Sequence, residues 1–74
     1  MNVEQAVTLV RAELDEATGK FGPMASAHEG YAVILEELDE LWAEIRSKRA
    51  TRASVTAEAV QVAAMALRFL TDVC

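Results

Sequence analysis

From Val3 to Ala17 apolar side chains recur every third or fourth position (Val3, Ala6, Val7, Val10, Leu14, Ala17), with Glu4, Arg11, Asp15 and Glu16 between them. That is the period of an amphipathic helix, predicted over about 2–18. Gly19 is placed to supply a left-handed C-terminal cap, and Pro23 bars any continuation. Ser26-Ala27-His28-Glu29 then reads as a capping box, the Ser26 hydroxyl accepting from the Glu29 amide and the Glu29 carboxylate from the Ser26 amide. After it, Tyr31, Ile34, Leu35, Leu38, Leu41, Trp42 and Ile45 make one apolar stripe, with Glu29, Glu36, Glu37, Glu40 and Glu44 on the other side. This second helix, predicted over about 26–48, is roughly 30 Å long and ends among Arg46, Lys48 and Arg49, whose charge suits a helix C-terminus.

The connection from Ala50 to Ser54 is short and polar, so the second and third helices are expected to be antiparallel neighbours. Thr51, Ser54 and Thr56 are all competent N-caps for the third helix, predicted over about 54–72. On a helical wheel Glu58, Gln61, Arg68 and Asp72 share one narrow stripe with Met65, and almost everything else is apolar. Such a helix is expected to be buried on several sides, and Ala57, Ala59, Ala63, Ala64 and Ala66 keep it slim enough for close approach. No run alternates at period two. The expectation is therefore one all-α domain spanning residues 1–74.

Composition adds a constraint on assembly. A chain of 74 residues hides only about 60% of its unfolded surface, and chains this short need disulfides, a metal or oligomerisation. Cys74 is the only cysteine, so no disulfide forms within the chain, while 53% hydrophobic residues are more than one three-helix layer covers. A homodimer or homotetramer with a helical-bundle core is the expected result. The net charge of −5 argues against nucleic acid as a partner. No apolar run is expected to approach the roughly 20 residues of a membrane span, and Met1-Asn2-Val3-Glu4 lacks a signal-peptide layout. A cytoplasmic protein without a membrane partner is expected.

Charge is unevenly spread. Five of the 12 acids fall between Glu36 and Glu44, and no Lys or Arg stands between Lys20 and Arg46. Glu36 and Glu40 are i,i+4 neighbours and Glu37 and Glu40 i,i+3 neighbours, so like charges crowd one helix surface with nothing to relieve them. A hard divalent cation bound through carboxylate oxygens would neutralise the cluster and bring phosphates with it. If the second and third helices pack antiparallel, Glu58 falls near Glu40 and Glu44, and Gln61, one turn on, offers a neutral oxygen to the same cation.

Glu36-Glu37-x-x-Glu40, followed after 17 residues by Glu58-x-x-Gln61, resembles the EExxE…ExxD signature of the MazG-like all-α nucleoside triphosphate pyrophosphohydrolases. Lys20-Phe21-Gly22-Pro23 leading into His28-Glu29-Gly30-Tyr31, and the run from Glu58 to Met65, are similar to short stand-alone members. The resemblance covers about residues 20 to 72. It implies a hydrolase acting on acid anhydrides, cleaving an NTP or dNTP to a nucleoside monophosphate and pyrophosphate with Mg²⁺, or Mn²⁺, as cofactor. It also implies metal ligands among Glu36, Glu37, Glu40, Glu58 and Gln61, with Glu37 or Glu40 orienting or deprotonating the attacking water. The departure is Gln61, where the family has Asp; losing that charge weakens a metal site.

The other polar residues carry two readings each. Lys48, Arg52 and Arg68 are candidate triphosphate ligands, although the first two also fit as helix-terminal charges and Arg68 as an i,i+4 partner of Asp72. Trp42 is expected in the core or at a subunit interface, and His28 at a solvated first turn. The rival to the enzyme is a non-catalytic helical oligomerisation or interaction module whose metal site is degenerate at Gln61.

Overall fold

The computed structural model describes all 74 residues as three helices and no strand: α1 (Val3–Lys20), α2 (Ala27–Arg46) and α3 (Arg52–Asp72). α3 packs against both others, while the backbones of α1 and α2 stand apart. The order along the chain is up, down, up. Gly30 of α2 meets Phe69 near the end of α3, and Glu37 and Glu40 meet Glu58 near its start, so those two helices are antiparallel. Glu13 meets Gln61 and Gly22 meets Arg68, so α1 runs parallel to α3.

The ends of the helices follow local side-chain chemistry. α1 begins with a capping box that the sequence reading did not contain: the Asn2 side chain accepts from the Gln5 amide (2.8 Å) and the Gln5 side chain from the Asn2 amide (2.9 Å). Its other end corrects the expectation for Gly19. No residue adopts the left-handed region, and the helix runs on to Lys20, with Phe21 leaving in extended geometry. The i,i+4 pair between Glu16 and Lys20 (2.8 Å) spans that last turn.

Ser26 caps α2 by accepting from the Glu29 amide (3.1 Å), but the reciprocal bond from the Glu29 side chain, which borders a cleft, is missing. Among the three candidate caps of α3, Thr51 takes the position and Ser54 returns the bond to its amide, which starts the helix at Arg52 rather than Ser54.

The buried core is small. Ala17, Met24, Ala64 and Met65 form it, with Val10, Leu14, Val33, Ile34, Phe69 and Val73 half-buried around them. A Cβ on Gly30 would lie 2.5 Å from the Phe69 ring and 3.1 Å from the Met24 sulfur, so only glycine lets α2 come this close to α3.

Three expectations need correction here. The apolar stripe of α2 divides: Ile34 and Leu41 turn inward, whereas Tyr31, Leu35, Leu38, Trp42 and Ile45 remain exposed. α3 is central, yet Leu67 and Leu70 on its far side are also exposed. α3 is moreover long and apolar enough by composition to cross a membrane, contrary to the expectation that no run approaches that length. Its polar stripe, Glu58, Gln61 and Arg68, faces the space between the flanking helices.

Candidate metal centre in an acidic cleft

Because α1 and α2 stand apart on either side of α3, a cleft of about 650 Å³ opens between them with α3 as its floor. One face of each helix lines it, at helical spacing. α1 contributes Glu13, Glu16, Ala17 and Lys20, and α2 contributes Glu29, Val33, Glu36, Glu37 and Glu40. α3 contributes Glu58, Gln61, Met65 and Arg68. Seven of these side chains are glutamates and only two are cationic, so the cleft concentrates most of the acid in the chain.

The two cations are already engaged. Lys20 pairs with Glu16 on its own helix. Arg68 is buried, with its side chain 8% exposed; its Nη2 donates to the Gly22 carbonyl at 2.6 Å and stands 3.7 Å from Asp72. Asp72 in turn accepts from the Met24 amide at 3.0 Å. This network ties the α1–α2 loop to the end of α3. Arg68, expected as a phosphate ligand or as the partner of Asp72, is thus placed with Asp72 while still bordering the cleft.

At the other end of the floor, carboxylate oxygens of Glu37, Glu40 and Glu58 lie within 4.8 Å of one another. No ion pair reaches them. Unit charges at that separation repel by roughly 3 kcal/mol per pair at an effective dielectric constant of 20, so three ionised carboxylates demand a neutralising proton or cation. The burial of Glu37, followed by the charge of Glu40 and then those of Glu58 and Glu36, raises its carboxyl from 4.5 to about 7. Its Oε2 is shut off from solvent and has no hydrogen-bond partner. An orphaned carboxylate oxygen beside two further carboxylates is a donor set for a hard divalent cation, and the residues fit such an ion.

The other candidates are placed differently. Glu36 lines the cleft but is exposed and lies outside the trio, and half-buried Glu44 borders neither. Gln61 lines the cleft with its Nε2 donating to Glu13 Oε1 at 2.7 Å. Since a carboxylate only accepts, the amide carbonyl of Gln61 is turned away from Glu13. Lys48 and Arg52 are exposed and lie outside the cleft. The sequence reading missed Glu13 and the whole α1 wall. The available signal was the spacing of Glu13, Glu16 and Lys20 around Ala17, a polar stripe bordering a buried position.

The fold and cleft define an all-α domain with a three-carboxylate centre. No protein-family model matches the chain, and neither a curated protein nor a solved structure matches it.

Proposed function

We propose that this domain is a nucleoside triphosphate pyrophosphohydrolase of the MazG-like type, dependent on Mg²⁺ or Mn²⁺, that cleaves an NTP or dNTP to the monophosphate and pyrophosphate. The observation that carries the reading is the convergence of Glu37, Glu40 and Glu58 within 4.8 Å. The surrounding cleft, at about 650 Å³, falls within the ~300–1,000 Å³ of small-molecule sites. With Lys20 and Arg68 engaged elsewhere, no free side-chain cation of the cleft can meet a triphosphate, so binding there calls for metal.

A divalent ion held by Glu37, Glu40 and Glu58 would offset the charge of the phosphates and position them. Glu37 and Glu40 are the residues to orient a water for attack on the α-phosphorus. In that step the new O–P bond forms as the bond to the bridging oxygen of the β-phosphate breaks, and the water proton passes to a glutamate carboxylate.

The test is a thermal melt with and without millimolar Mg²⁺ or Mn²⁺, followed by pyrophosphate release over a panel of NTPs and dNTPs. The expected result is a higher melting temperature with metal, release from at least one nucleotide, and loss of both in Glu40→Gln. A second reading, a helical interaction module with a degenerate metal site, is favoured by the engagement of Gln61 with Glu13. It predicts neither metal shift nor turnover, with Glu40→Gln stabilising the chain whether or not metal is added.

A further inference from the structure

We propose that Glu13 is a positioning residue for the cation site: it turns the Gln61 amide so that the amide oxygen faces the three carboxylates, and it thereby couples cation binding to the docking of α1. This rests on the metal-dependent reading above and extends it to the wall of the cleft that carries none of the three carboxylates.

Gln61 Nε2 donates to Glu13 Oε1 at 2.7 Å, in a part-buried contact between side chains 48 positions apart. It is the side-chain hydrogen bond that joins α1 to α3, and no Lys or Arg forms an ion pair with Glu13. A side-chain amide carries its donors on nitrogen and its acceptor on oxygen, in one plane. Committing the nitrogen to the α1 wall therefore turns the oxygen toward the α2 side of the cleft, where Glu37 and Glu40 stand. Gln61 also follows Glu58 by three residues, which makes the two side chains neighbours on the surface of α3. A neutral amide oxygen is an ordinary ligand for a hard divalent ion. Without Glu13 the amide is free to turn over and offer its NH₂ group, which a cation repels.

The same contact accounts for the residue type at position 61. A carboxylate only accepts, so Asp there would set two acceptors against each other with no donor between them. Glutamine satisfies Glu13 with one end and leaves the other for the cation. The departure from ExxD is thus matched by an acid on the opposite wall. In the interaction-module reading the bond to Glu13 takes Gln61 out of the site, whereas here it aims Gln61 into it.

The two differ in whether α1 senses the ion. All three carboxylates lie on α2 and α3, so an ion held by them alone makes no contact with α1. If Gln61 is aimed only while α1 is docked, the docked form binds the cation more tightly. By reciprocity the cation then holds α1 in place by the same factor.

The test is calorimetric titration of the whole chain with Mn²⁺, joined to amide exchange in α1 with and without the ion. In the wild type Mn²⁺ should slow α1 exchange by about tenfold. Glu13→Ala should weaken Mn²⁺ binding by about tenfold, the scale of losing a group that orients a ligand, and should abolish the slowing. Glu13→Gln removes the same charge but keeps an oxygen to accept from Gln61, and should retain both effects. Equal losses of affinity in the two variants would show that charge alone acts, and would overturn the proposal. So would an alanine variant that binds Mn²⁺ as tightly as the wild type, or a wild type that binds Mn²⁺ with no change in α1 exchange. A wild type that binds no Mn²⁺ at millimolar concentration would instead sink the metal-dependent reading, and this proposal with it.

Discussion

The two ends of α3 treat charge in opposite ways. Toward its C-terminus a buried arginine has all it needs: Arg68 donates to the Gly22 carbonyl and pairs with Asp72, which accepts from Met24. Toward its N-terminus Glu58 meets Glu37 and Glu40, and the chain supplies no cation to any of them. Desolvated charge persists only with a partner. One end therefore holds the fold together, and the other is finished by a proton or by something from outside.

The largest effect is expected at the satisfied end. Arg68→Met retains an apolar stem but strands Asp72 and the Gly22 carbonyl, and should lower stability by about 3 kcal/mol in urea denaturation. A loss below about 1 kcal/mol would mean that solvent satisfies these groups and that the ends differ less than the geometry shows. Gly30→Ala tests the packing beside that network. Alanine gains up to about 1 kcal/mol in helix propensity, yet its Cβ would strike the Phe69 ring; a net loss of about 1–2 kcal/mol is expected. A more stable variant would show that the ring moves aside freely.

The smallest effect belongs to the unsatisfied end and depends on pH. Because the Glu37 carboxyl is raised from 4.5 to about 7, the folded chain holds this proton more tightly than the unfolded chain does. Its contribution to stability is therefore full below 4.5 and disappears as pH rises through 7. In chelator, melting temperature should fall across that window, and Glu37→Gln should flatten the fall. An unchanged slope in the variant would assign the dependence to another group.

Much of the fold was legible in the sequence because it is set within single helices. Periodicity located all three, and the antiparallel hairpin with its polar stripe on α3 brought Glu58 toward Glu40 before any coordinates. What escaped was decided by partners far along the chain. Gly19 looked like a helix stop, but the Glu16–Lys20 pair spans another turn. Glu29 looked like the second half of a capping box, but it faces the cleft. The stripe on α2 looked continuous, but one face covers α3 and the other covers nothing in this chain. The spacing of Glu13 with Glu16 and Lys20 around Ala17 marked a polar stripe, but its partner Gln61 lies 48 positions away. Gln61, read as a ligand from its spacing to Glu58 and its match to ExxD, also has an amide partner in Glu13 that no local pattern announced.

The separation of α1 from α2 also has a kinetic side. α2 and α3 are joined by five residues and can pair through local contacts, whereas α1 reaches α3 only by closing a much longer loop. The hairpin is the early unit of folding and α1 the late one, so in reverse α1 is the first to detach. A cleft walled by the last helix to arrive exists only while that helix is docked. The first partial opening therefore removes the α1 wall of the cleft and leaves the three carboxylates on the α2–α3 hairpin together, and amide exchange in α1 should run ahead of exchange in the other two helices.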